Sequence, residues 1–229
     1  MTELLQIPVL PLIVTVAGYG FGLFLQKKWN HPLVNPIIIG MIVVVIFLRL
    51  TGMETADFKE GTDKISWFMT PATICLAIPM YQRLQILKKH KAAIAIGVAC
   101  GAIGCLIFLL AGCTFAGLSR ILTISVLPKS ITAAVGVPLC ELFGGIGAVT
   151  TAAITVTGIS IYMFGVYYGK WLGITDPVGL GVAFGTSAQV IGSVKAAELD
   201  PLMGAVSNLA LVVTALLSAA VFPIFVSLI

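Results

Sequence analysis

Apolar residues in this chain come in long blocks, broken by short polar or charged clusters rather than by the close alternation of a soluble helix or strand. Four windows carry no charged side chain: Ile7 to Gln26, Ala92 to Phe115, Leu142 to Gly169 and Pro201 to Ile229. At about 1.5 Å of rise per residue each can cross the roughly 30 Å hydrocarbon layer of a bilayer as a helix. The first window runs into Lys27, Lys28 and Trp29, an interfacial anchor, and a second apolar segment extends from near Leu33 to Arg49. Thr51 to Lys64, with four acids against two lysines, reads as a polar loop. A further apolar segment, Ile65 to Gln82, is interrupted by Pro71 and Pro79, and a basic loop with Arg83, Lys88, Lys89 and Lys91 follows. About eight apolar segments result, with those beginning near Ile65, Ile121 and Pro177 broken rather than smooth. The pattern predicts an all-α polytopic membrane protein, one integral membrane domain over residues 1–229 with several discontinuous helices.

Composition supports the same class. Of 229 residues, 59% are hydrophobic and 10% charged, with a mean hydropathy of +1.11, far from the roughly 25% charged content of soluble domains. Glu3 precedes the first apolar run and no Lys or Arg does, so the basic leader of a cleaved signal peptide is missing and the run is expected to stay as a spanning helix. The net charge of +4 is accounted for by lysines at membrane edges and points to no nucleic-acid partner. Placing the Lys27/Lys28 and Arg83 to Lys91 clusters in the cytoplasm puts Thr51 to Lys64 and the N-terminus outside. The five cysteines form no CxxC pair and only two histidines are present, so the cysteines read as small core hydrophobes and no metal or cofactor is expected. No HExxH or GxSxG occurs, and Asp176 and Asp200 each stand beside a proline in what read as loops, so an enzyme is not expected.

Two internal likenesses suggest inverted repeats, with a boundary near 115–120. QKKWNHPLVNPIIIG resembles YGKWLGITDPVGLG, with Pro36 and Gly40 matching Pro177 and Gly181. PATICLAIP at Pro71 resembles PKSITAAVGVP at Pro128 in a different register. Such repeats are common in secondary transporters.

The chemistry centres on LPKSITAAVGVPLCE, where Lys129 stands between a proline and a serine in an apolar run. A lysine at the centre of a spanning helix costs about 2.5–3.5 kcal/mol on insertion scales, so it either snorkels to an interface or faces a polar cavity. Pro128 and Pro138 argue for a broken helix, and Ser130 and Thr132 add hydroxyls. The N-terminal end of a resumed half-helix carries partial positive charge, so Lys129 beside it makes an anion site. Pro71 and Thr73 begin a comparable interruption. A third polar cluster, Gly185 to Lys195, holds Thr186, Ser187, Gln189 and Ser193; small residues there allow close helix packing, but an amide at depth requires partners. Glu141 is a candidate proton carrier, and Asn35 a weaker candidate best explained as a cap.

NPIIIG, PATICLAIPMYQ, LPKSITAAVGVPL and GTSAQVIGSVKAAE, in that order from about Asn35 to Ala210, resemble the successive motifs of the LrgB/CidB family. These are bacterial holin-like or antiholin-like membrane proteins, to which the plastidal glycolate/glycerate translocators are related. Pro-Lys-Ser-x-Thr is the most specific element. Where the family commonly has Ser-His-x-x-Gly-Thr, this chain has Ala188-Gln189-Val190-Ile191-Gly192-Ser193, so a histidine suited to proton coupling is a glutamine here. The resemblance implies a multi-pass protein of the bacterial inner membrane, with an LrgA-type membrane protein as a partner. It also implies either movement of small monocarboxylates such as glycolate, glycerate or pyruvate, or control of murein hydrolase export and lysis. A secondary transporter binding a small organic anion, working as a homodimer in the bilayer, and a holin-like channel or antiholin-like regulator are the two readings carried forward.

Overall fold

Lipid offers a backbone no hydrogen-bond partner, so apolar runs of this length must satisfy their own amides as helices. The computed structural model describes residues 9–29, 35–68, 71, 74–75 and 77–229, and no strand occurs among them. Among the described residues five helices are, by length and composition, long and apolar enough to cross a membrane: Leu10–Trp29, Lys91–Phe115, Gly147–Trp171, Pro177–Leu199 and Pro201–Ser227. Pro36–Thr51 and Ala133–Leu142 are shorter apolar helices. About eight segments were expected; the interruption expected after Ile65 falls mainly on residues outside those described.

The chain divides into two compact units, Met1–Leu76 and Ala77–Ile229. In the first, α1 (Leu10–Trp29) packs antiparallel on α2 (Pro36–Thr51): Gly18 faces Gly40 and Val43, and Gly22 faces Pro36. The supposed polar loop is instead a helix, α3 (Thr55–Trp67), whose Gly61 lies against Pro11. Its charges had masked the pattern, although Phe58 is positioned to meet Phe47 of α2 at a ring separation of 6.4 Å.

The second unit holds α4 (Ala77–Gln82), α5 (Leu84–Lys89), α6 (Lys91–Phe115), α7 (Arg120–Val126), a 3₁₀ turn (Leu127–Ser130), α8 (Ala133–Leu142), α9 (Gly147–Trp171), α10 (Pro177–Leu199) and α11 (Pro201–Ser227). The basic loop is therefore also helical, with Lys88 and Lys89 in the last turn of α5 and Lys91 opening α6. Gly117, in the left-handed region at φ 64°, ends α6, and Ser119 caps α7. Asp176 and Asp200, taken as loop residues, are N-caps with Pro177 and Pro201 in the first helical turn. Asp200 Oδ1 accepts from the Leu202 and Met203 amides at 2.8 and 2.9 Å.

Helix α10 does not run straight. Gln189 has φ 53° and ψ −131°, close to the first central residue of a type II′ turn. A Cβ on Gly192 would lie 2.6 Å from the Phe184 carbonyl oxygen, whereas eight residues of straight helix span about 12 Å. Phe184 and Ala196 likewise share one core cluster with Met203. Both arms, residues 177–188 and 190–199, lie on α11: Gly181 meets Met203 and Val206, while Ala197 meets Gly204. The helix is thus a hairpin whose two ends, Asp176 and Asp200, lie together, with Gln189 at the tip.

A second fold-back precedes it. Ile131 and Thr132 are extended, and they turn the chain from the 3₁₀ segment into α8, bringing Gly136 against the Pro128 carbonyl. Further down the arms Ile124 and Cys140 both crowd Gly145. Buried Ser125 ties this hairpin to α9: its hydroxyl accepts from the Ile146 amide at 2.8 Å, and its carbonyl accepts from Thr150 Oγ1 at 2.7 Å.

Lipid removes the hydrophobic drive for helices to associate, so close backbone contact carries the packing. A side chain on Gly185 would run into the Ser207 carbonyl, while nothing lies within 4 Å of a Cβ at Gly104. Gly185→Val is expected to destabilise the fold by about 1–3 kcal/mol or more. Gly104→Ala is expected to be neutral or stabilising by up to about 1 kcal/mol. Thermal melts of the purified variants in detergent check the pair, and equal melting temperatures would contradict the close-packed hairpin.

Candidate functional site

Pro128 lacks the amide that would continue α7, and the chain tightens there into the 3₁₀ turn. Lys129 is on this turn, nine residues or about 14 Å of helix from Arg120, where α7 begins. The Ile131 amide closes the turn on the Pro128 carbonyl at 2.9 Å. Thr132, the N-cap of α8, accepts from Val135 and Gly136 through its carbonyl, while its side chain makes no cap bond.

The two hairpin tips meet. Gln189 Nε2 donates to the Lys129 carbonyl oxygen at 2.8 Å. That carbonyl belongs to a helical turn that has just ended, so the amide supplies a partner the backbone cannot. Gln189 is only 4% exposed and its positive φ costs about 1–3 kcal/mol, so the surrounding packing holds it there. Each tip also presents the N-terminal end of its returning arm, α8 in one case and residues 190–199 in the other, and such ends carry partial positive charge.

The Lys129 side chain is half-buried. Its ammonium lies 3.5 Å from Ser130 Oγ, which in turn lies 3.2 Å from Cys105 Sγ on α6. Among the described residues the only ion pair is Lys195 with Glu198, and no described carboxylate pairs with Lys129. A cavity of about 420 Å³ opens beside this cluster, walled by Gly101 and Cys105 of α6, Ile161 and Gly165 of α9, and Thr186 and Ser187 of α10. Cys105 belongs to both the cavity and the serine-lysine cluster.

A model of the LrgB-like family matches residues 15–228. The protein belongs to the LrgB-like family. Membership supports a membrane protein of the holin-like or antiholin-like class. No solved structure matches the chain.

In this LrgB-like protein the expected site residues separate into groups. Lys129, Ser130 and Gln189 come together, with Thr132 at the turn. Thr186 and Ser187 line the cavity, but both hydroxyls donate to their own helix, to Val182 and Ala183 carbonyls, leaving only lone pairs for a visitor. Ser193 is buried on the returning arm, 2.9 Å from Ser207 Oγ, and fastens that arm to α11. Glu141 is exposed in the last turn of α8 beside Gly147, about 14 Å of helix from Thr132, so it is not at the tips. Asn35 is in the first unit as the N-cap of α2, accepting from the Ile37 amide at 2.8 Å. Pro71 is helical and exposed in the same unit, and Thr73 lies outside the described residues.

Cys105 was missed, because a thiol between Gly104 and Leu106 in a charge-free window carries no polar signal. The Lys129 carbonyl was missed for a different reason: no side-chain pattern marks which backbone group needs a partner. Gln189→Ala keeps the strained φ and leaves that carbonyl unpaired, and is expected to destabilise the fold by about 1–3 kcal/mol. Gln189→Gly loses the same bond but relieves the backbone, so it should be the less damaging of the two. Chemical or thermal unfolding in detergent ranks them; Ala equal to wild type would remove the tip-to-tip bond from the account.

Proposed function

We propose that this protein is a secondary transporter of small monocarboxylates, with Lys129 as the carboxylate-binding group between two hairpin tips. The observation that carries the reading is a half-buried ammonium with no acidic partner among the described residues, held where two returning helices present their N-terminal ends. Charge in a membrane interior is costly and is retained where it meets an ion or a water-filled path. A monocarboxylate of the glycolate, glycerate or pyruvate kind supplies the missing counter-charge. Ser130 and Thr132 offer hydroxyls to the rest of the molecule, and Gln189 acts as the brace that positions Lys129. Helix interruptions of this kind recur at transporter substrate sites, and rocking of the hairpin bundle against the long helices provides alternating access.

The finer architecture belongs to the same proposal: inverted halves, about eight segments, an inner-membrane location with the N-terminus outside, a homodimer and an LrgA-type partner. Its local support is that Asn35-Pro36 and Asp176-Pro177 both form a capped, proline-started helix, matching the sequence likeness. That likeness is limited, because α2 continues unbroken where α10 reverses. Family membership also favours a second reading, a holin-like pore or antiholin-like regulator. A pore has no use for a lone cation braced by a strained glutamine.

In sealed proteoliposomes, labelled glycolate or pyruvate uptake is expected to saturate and to be competed by related acids. Lys129→Ala is expected to lower it by about ten- to a hundredfold, the range for losing a charged hydrogen-bond partner. Equal, unsaturable leakage of sugars and acids would replace the carrier by a pore.

A further inference from the structure

Away from the hairpin tips, α5, α6 and α11 enclose an apolar groove of about 250 Å³. Its wall includes Leu87, Ile94, Val98, Leu209 and Val213, with Ala95 exposed along it, and Lys88 and Lys91 stand at one end. From Lys91 to Val98 the groove follows α6 for about 10 Å, most of one leaflet's share of a 30 Å hydrocarbon layer. A surface of cationic headgroup contacts above a hydrocarbon-lined slot has the polarity of a phospholipid.

The lysines also lack an ion-pair partner among the described residues. No acidic residue occurs between Asp63 and Glu141, and α11 contains none. The acids that cap the neighbouring helices, Asp176 and Asp200, accept from their own helix amides, which leaves the lysines to an external anion, and the adjoining slot selects one that carries an apolar tail.

We infer that this groove is a binding site for an anionic phospholipid, its phosphate on Lys88 and Lys91 and part of one acyl chain along Ile94, Val98 and Val213. The site is independent of the Lys129 reading. Basic residues beside apolar clefts between spanning helices are a recurrent arrangement for such lipids. Lys89 carries the same charge in the same turn but does not line the groove, which makes it the internal control.

The test uses the full chain in detergent, titrated with phosphatidylglycerol or phosphatidylcholine of identical chains, with binding followed by native mass spectrometry and by thermal shift. Phosphatidylglycerol is expected to bind about tenfold or more tightly, the effect of two surface lysines on one anionic headgroup. K88Q/K91Q should abolish that preference and K89Q should keep it. Ala95→Trp, which fills the slot without touching the charges, should weaken both lipids. Equal binding of the two lipids would overturn the site, as would a preference that survives K88Q/K91Q or inorganic phosphate stabilising the protein as well as the lipid does.

Discussion

One hydrogen bond, from the Gln189 amide to the Lys129 carbonyl, joins the two places where this fold stops being a set of helices. In water an interrupted helix would solvate its freed carbonyls and amides; in a membrane each must find protein. The two hairpins solve this for one another, since the carbonyl left over at the end of one turn is met by the side chain at the apex of the other. The strained backbone of Gln189 is the cost of aiming that amide, and it is sustained by both arms of α10 lying on α11.

That junction creates an electrostatic asymmetry. Lys129 is carried to the depth of the tips by an arm of about 14 Å, and the returning helices add their positive ends rather than a neutralising acid. The neighbouring cavity contributes little polarity, because its two hydroxyl residues donate to their own helix. In the proposed carrier, anion binding would rest on the lysine, with the cavity supplying space. Family membership by itself accommodates both a carrier and a pore; the half-buried, braced cation is the feature on which the proposed carrier reading rests.

Lysines elsewhere in the chain show how depth decides role. Lys88 and Lys91 have the same chemistry as Lys129 but stand exposed at the edge of an apolar groove, where a lipid phosphate is the available anion. Lys195 has its own acid, 3.0 Å away on Glu198, and rests over the Tyr162 ring at 4.9 Å. The same side chain thus stands half-buried at a hairpin tip, exposed beside an apolar groove, and in a local ion pair.

The residues themselves determined the helical membrane class, the long unbroken helices within a few positions, and the choice of Lys129, Ser130 and Gln189 as unusual. Those follow from local energetics: charge-free length, proline breaks and the expense of a buried cation all act over a few residues. The helices α3 and α5 were hidden by their charges, because a helix that presents charged residues loses the apolar period that reveals it. Only the tertiary structure decided that Pro177–Leu199 turns back instead of crossing, that Gln189 reaches a carbonyl sixty residues away in sequence, and that Glu141 stays away from the tips. Hydropathy measures how much apolar length a segment has, not its direction, and a single residue at positive φ reverses the path without altering the composition.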